Sequence, residues 1–143
     1  MQFAHILVAY DGSLSSVKAL ETAVRLVEDK QAERLTVVHV YSIPYMAVAD
    51  SIVTVPNSIQ MDWLERVKIL LADAGKQIAH LPYAHTAVLE GSPAEAILQY
   101  TEENGCDLIV IGSRGLSSLR EFMMGSVSHN VAQHSKVPVM IIK

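Results

Sequence analysis

The residues with the clearest chemical potential lie near the C-terminus. Gly112, Gly115, Gly125 and Ser126 follow the spacing G-x2-G-x9-G-S. Glycine lets backbone amides come close to an anion and tolerates a positive φ, and Ser126 stands where a helix through Val127 and Val131 would begin. The start of a helix offers unpaired N–H groups and a dipole that favours negative charge. Both features suit a polyphosphate. Glycines also end strands and permit tight turns, so the same spacing is open to a purely structural reading. A second chemical candidate is Asp11, in the turn Asp11-Gly12-Ser13 after the first apolar run. It is placed either to touch a ligand or to cap the helix that follows, and the two roles are compatible.

Other reactive residues point to blander roles. His39, inside an apolar strand, reads as a hydrogen-bonded core residue. His129 and His134 are five apart, whereas two metal ligands on one helical face want three or four. Cys106 precedes a buried strand with no base beside it in sequence, as an inert thiol would. Phe122, Met123 and Met124 read as packing residues. No G-x4-G-K-[S/T] occurs and no G-x-G-x-x-G follows a strand, so Walker-type hydrolysis and dinucleotide redox chemistry lose their main support.

The elements that must position these groups alternate. Ile6 to Ala9 is a continuous apolar run, followed by a helical pattern in Val17, Leu20, Val24 and Val27. Leu35 to Tyr41 is rich in β-branched residues. An irregular stretch over 42–57, holding Pro44 and Pro56, reads as a flap beside a site. Trp63, Val67, Leu70, Ala74 and Ile78 recur at helical spacing, and His85 to Leu89 forms a third strand. Ser92-Pro93-Ala94-Glu95 has the form of a capping box, with the helix ending at Asn104-Gly105. Leu108 to Ile111 and Val137 to Ile142 complete five strands among four helices. Strands apolar on both faces require cover on both sides, so the pattern predicts a doubly wound α/β domain over 1–143 with a parallel sheet. Ligands of such sheets bind beyond the carboxyl ends of the strands, where strand order reverses. Asp11 and Gly112 both end strands there.

The bulk composition agrees with one domain and excludes several partners. Half of the 143 residues are apolar, enough for a packed core. With 11 basic against 15 acidic residues the charge is -4, and no basic stripe suits a nucleic acid backbone. The one cysteine forms no internal disulfide, and the first apolar run meets Asp11 too early for a signal peptide or membrane span. A cytoplasmic protein without membrane or nucleic-acid partners is expected.

Along its whole length the chain resembles the universal stress protein family. The resemblance rests on Ile6-Leu7-Val8-Ala9-Tyr10-Asp11-Gly12-Ser13, on Val38-His39-Val40, and on Asp107-Leu108-Ile109-Val110-Ile111-Gly112-Ser113-Arg114-Gly115 with Gly125-Ser126-Val127. It implies strand order 3-2-1-4-5 and, through the complete loop pattern, the ATP-binding branch. It further implies that Ala9, Tyr10 and Asp11 line an adenosine pocket, that Val40 presents backbone groups to the adenine edge, and that Ile111 and Gly112 border the ribose. Ser113, Arg114 and Gly115 would open the phosphate loop. Gly125, Ser126, Val127 and Ser128 would contact the phosphates of ATP, ADP or AMP, with Mg²⁺ carried by the phosphates. The implied function is a nucleotide-dependent stress-response binding protein. A slow ATPase or phosphotransferase using the same loop, and a scaffold that binds no nucleotide, are the alternatives. In the implied order Val139 to Ile142 is an apolar edge strand, from which a homodimer is expected.

Overall fold

The computed structural model describes residues 2–42, 45–48, 51–54, 56–115 and 124–143. Along the chain run β1 (Phe3–Ala9), α1 (Leu14–Glu28), β2 (Ala32–Tyr41), β3 (Tyr45–Val48), β4 (Ser51–Thr54) and α2 (Asn57–Ile78). Then follow β5 (Ala84–Glu90), α3 (Pro93–Glu103), β6 (Leu108–Gly112), α4 (Ser126–His134) and β7 (Val139–Ile142). The main sheet has the order β5-β2-β1-β6-β7, with every neighbouring pair parallel. Counting only its own strands, this is 3-2-1-4-5.

Alternation along the strands divides the core into two layers. Ile6, Val8 and Tyr10 of the β1 segment join Leu35, Val37, Leu108 and Val110 beneath Ala19, Leu20 and Ala23 of α1 and Ala74 and Ile78 of α2. Leu7, Val38, Ile109 and Ile111 turn to the other face, under Ile97 of α3 and Val131 of α4. All five residues of β6 are buried, which explains why that strand carries no polar side chain. Because β1 connects toward one edge of the sheet and β6 toward the other, their crossovers diverge and leave a crevice at their carboxyl ends. Among the described residues, no helix is long and apolar enough to cross a membrane.

Three local expectations need correction. The 42–57 stretch is not wholly irregular, since β3 and β4 pair antiparallel with Tyr45 opposite Thr54 and Val48 opposite Ser51. Its β-branched and aromatic residues favour this pairing, whereas Pro44 and Pro56 dominate a reading by sequence. Ser92 is the N-cap of α3 and Pro93 its first residue, but no side chain bonds to a cap amide, so the capping box with Glu95 does not form. On α2 the buried stripe is Val67, Leu71, Ala74 and Ile78, and Trp63 remains exposed. The other end of α3 is as expected: Asn104 closes it and Gly105 follows at φ +64°. Phe122 and Met123 lie outside the described residues.

Candidate ligand-binding cleft

A cleft of about 660 Å³ opens at the carboxyl ends of β1, β2 and β6, within the size range of small-molecule sites. Its walls come from Ala9, Tyr10 and Asp11 after β1, from Val40 on β2, from Ile111, Gly112, Arg114 and Gly115 at and after β6, and from Gly125 to Ser128 at the start of α4. Ser113 is the one sequence-nominated residue that does not line it. It lies beneath the wall, nearly buried, with its N–H donated to the Ile142 carbonyl at 2.7 Å. The Ser113 carbonyl accepts from the Gly125 amide at 2.6 Å and from the Ser128 hydroxyl at 2.9 Å, closing the stem of the loop.

The turn after β1 is built around Asp11. One carboxylate oxygen accepts the Ser13 amide at 2.9 Å, and Gly12 adopts φ +80°. A side chain at Gly12 would also meet the end of the Leu70 side chain at 2.7 Å, which can move aside, so it is the conformation that demands glycine. The helix cap is Ser13, whose hydroxyl accepts from the Ser16 amide, and not Asp11. The second Asp11 oxygen lies 3.0 Å from where a Cβ would stand on Gly115, bringing the carboxylate against the loop after β6. Tyr10 places its ring in the α1–α2 core layer, which accommodates its bulk. Burial first, and then the Asp73 and Asp11 charges, raise its hydroxyl pKa.

The loop glycines have identifiable structural reasons. Gly112 sits so close to α1 that a Cβ would fall 2.4 Å from the Ser15 hydroxyl and 2.8 Å from the Ser16 amide nitrogen. Gly125 is the N-cap of α4 at φ -65° and ψ 158°, and a Cβ there would lie 3.3 Å from the Ser113 carbonyl. The positive-φ glycines among the described residues are Gly12, Gly91 and Gly105, so positive φ is not what Gly112, Gly115 and Gly125 provide. Their contribution is room for close neighbours: the Ser15 hydroxyl and the α1 backbone at Gly112, the Asp11 carboxylate at Gly115, and the Ser113 to Gly115 backbone at Gly125.

No side chain caps α4. The amides of its first turn, in Ser126, Val127 and Ser128, have no acceptor within the helix, and these residues line the cleft at the positive end of its dipole. Val38 and Val40 of β2 and Pro93 and Ile97 of α3 supply apolar lining to the same cleft. The arrangement can hold a ligand with an anionic end and a flat apolar end.

Ser13, Ser16, Val38, His39, Pro93, Ile97 and Met124 also line the cleft and were not nominated from sequence. Period-two alternation put Val38 beside Val40, and a spacing of four put Pro93 and Ile97 on one face of α3, so those signals were available. His39 is hydrogen-bonded, its Nδ1 donating to the Tyr10 carbonyl at 2.8 Å, which ties the ends of β1 and β2 together.

At the opposite end of the sheet, Cys106 is buried and its thiol is pushed up to about 11, chiefly by desolvation. Among the described residues, no group of three or more His, Cys, Asp or Glu is placed to hold a metal ion.

The model of the universal stress protein family matches residues 2–143. The chain belongs to this family. A universal stress protein of Bacillus subtilis, YxiE, is 40% identical, the alignment covering 99% of each chain. Among solved structures, MJ0577 of Methanocaldococcus jannaschii superposes with a TM-score of 0.81 at 24% identity, over 100% of this chain and 97% of that one. A universal stress protein described as a complex with cAMP is 26% identical, with a TM-score of 0.70 over 100% and 98% of the two chains. Universal stress proteins with this fold thus include at least one that takes an adenine nucleotide.

Proposed function

We propose that this universal stress protein is an adenine-nucleotide-binding protein, residues 1–143 forming one domain that holds ATP in the cleft at the β1–β6 crevice. The observation that carries the reading is the two-ended cleft. The uncapped start of α4 and the Gly115–Gly125 approach suit phosphate, and the apolar lining supplied by Val38, Val40, Pro93 and Ile97 suits a base. The solved complex of a relative with cAMP supports an adenine nucleotide as the occupant.

In this reading Asp11 accepts a hydrogen bond from the nucleoside while its other oxygen supports the turn. Val40 meets the adenine edge through its backbone, and Ile111 and Gly112 border the ribose. Among the described residues Asp11 is the one carboxylate lining the cleft, so Mg²⁺ would be carried by phosphate oxygens rather than by a protein cage. Binding rather than turnover is the proposed activity, in a cytoplasmic stress-response role. Residues of β7, an edge strand, are half-buried, and pairing with a twofold copy would cover them, giving a homodimer.

Denaturing freshly purified protein and analysing the supernatant by mass spectrometry tests the proposal. An adenine nucleotide in near-stoichiometric amount is expected. Its absence, together with no binding on titration with ATP, would overturn the reading.

A further inference from the structure

Ser15 lies in the first turn of α1, outside the loop pattern and outside the cleft wall. It is nevertheless buried, and its hydroxyl donates to the Arg114 carbonyl at 2.6 Å. Ser13 reaches the same carbonyl at a longer 3.4 Å. The space for the Ser15 hydroxyl exists because residue 112 has no side chain, since a Cβ there would fall 2.4 Å from it. Gly112 and Ser15 therefore interlock, and the first thing this interlock holds is the peptide that opens the loop.

The orientation of that peptide has a consequence for donors. In a trans peptide the carbonyl of one residue and the N–H of the next point in opposite directions. Holding the Arg114 carbonyl against α1 turns the Gly115 N–H away from α1. The Gly115 nitrogen lies 3.6 Å from the position a Cβ would take on Gly125, so it sits beside the N-terminal end of α4. The Gly115 amide is thereby added to the amides of the first turn of α4. Ser128 secures the preceding peptide in the same way, through the Ser113 carbonyl.

We propose that Ser15 is a positioning residue, one that fixes the Arg114–Gly115 peptide and so sets the preference of the cleft for phosphorylated over unphosphorylated nucleosides. This rests on the nucleotide reading above and names the device that regulates its phosphate end. Without the Ser15 hydroxyl, the peptide keeps only the longer Ser13 bond, and its amide is held less firmly toward the anion site.

The test compares Ser15→Ala and Ser15→Thr with the parent protein, by calorimetric titration with ATP and with adenosine and by the ¹⁵N–¹H shift of the Gly115 amide. Ser15→Ala should weaken ATP binding about five- to tenfold, the scale of one net hydrogen bond, leave adenosine unchanged and move the Gly115 signal in the free protein. Ser15→Thr, which keeps the hydroxyl, should preserve the ATP-to-adenosine ratio. A folded Ser15→Ala protein with the parental ratio would overturn the proposal alone, and so would equal weakening of both ligands. A parent protein that binds no ATP would overturn the nucleotide reading and this inference with it.

Discussion

Gly125→Val should sharply reduce ATP affinity while leaving a folded domain. The magnitude follows from the geometry around the N-cap of α4. Backbone dihedrals of -65° and 158° are open to any residue, so the substitution is not opposed by φ. It is opposed by contact. A Cβ lies 3.3 Å from the Ser113 carbonyl, 3.4 Å from the Arg114 Cα and 3.6 Å from the Gly115 nitrogen, and valine adds two further carbons. The two arms of the loop must separate, which strains the 2.6 Å bond from the Gly125 amide to Ser113 and displaces the amides on both sides. If two charge-assisted contacts to phosphate are lost at about 1.5–3 kcal/mol each, affinity falls by roughly two to four orders of magnitude. Replacing glycine at an N-cap by a β-branched residue costs the fold only about 1 kcal/mol. Alanine, with Cβ alone at 3.3 Å, should fall between the parent and valine. Titration calorimetry with ATP and adenosine reads the effect, with circular dichroism at the same temperature confirming the fold. Adenosine should be largely spared, so the two affinities converge. A folded Gly125→Val protein that binds ATP like the parent would show that this glycine serves packing alone.

Asp11→Ala should lower ATP affinity tenfold or more and also lower the melting temperature, because the Ser13 amide loses its acceptor; Asp11→Asn should restore the melting temperature but not the affinity. Equal affinity of Asp11→Ala and parent would confine the residue to its turn. Ile141→Lys should yield monomers in sedimentation, with circular dichroism as control because Ile141 also packs on the α3–α4 core layer, and a parent protein already monomeric at high micromolar concentration would remove the dimer. Stability should fall on acidification from about pH 6.5, where an unfolded histidine takes up a proton, because burial, aided by Arg34 and His85 and opposed by the Asn104 carbonyl and Asp107, holds the pKa of His5 lower in the fold. The unfolded chain then binds more protons, so ΔG of unfolding rises with pH, and thermal melts of His5→Gln should show a flatter acid-side slope than the parent.

The sheet was legible because β1 and β6 are buried on both faces and say so in unbroken apolar runs. The cleft was legible in part, through Asp11 and the glycine spacing. Other features depend on contacts between residues far apart in the chain. Nothing local marks Ser15 as the partner of Arg114, or Gly112 as the gap that admits it. The spacing also suggested glycines freed for positive φ, whereas the loop uses them to admit close neighbours, side chains of Asp11 and Ser15 as well as backbone. Asp11 and Ser13 are both cap-forming types, and only the folded turn shows that Ser13 takes the cap while Asp11 braces it. In α2, helical periodicity located the element through Trp63, Val67, Leu70, Ala74 and Ile78, but spacing alone does not separate exposed Trp63 from the buried Val67, Ala74 and Ile78.

The most direct test of the nucleotide reading is a ¹⁵N–¹H correlation titration of the nucleotide-free protein with Mg²⁺-ATP. Saturable shifts should concentrate in the amides of Asp11, Val40, Gly112, Gly115, Ser126, Val127 and Ser128, with those at the far end of the sheet near His5 and Cys106 unmoved. A spectrum unchanged at millimolar ATP, or shifts centred away from the start of α4, would contradict the account.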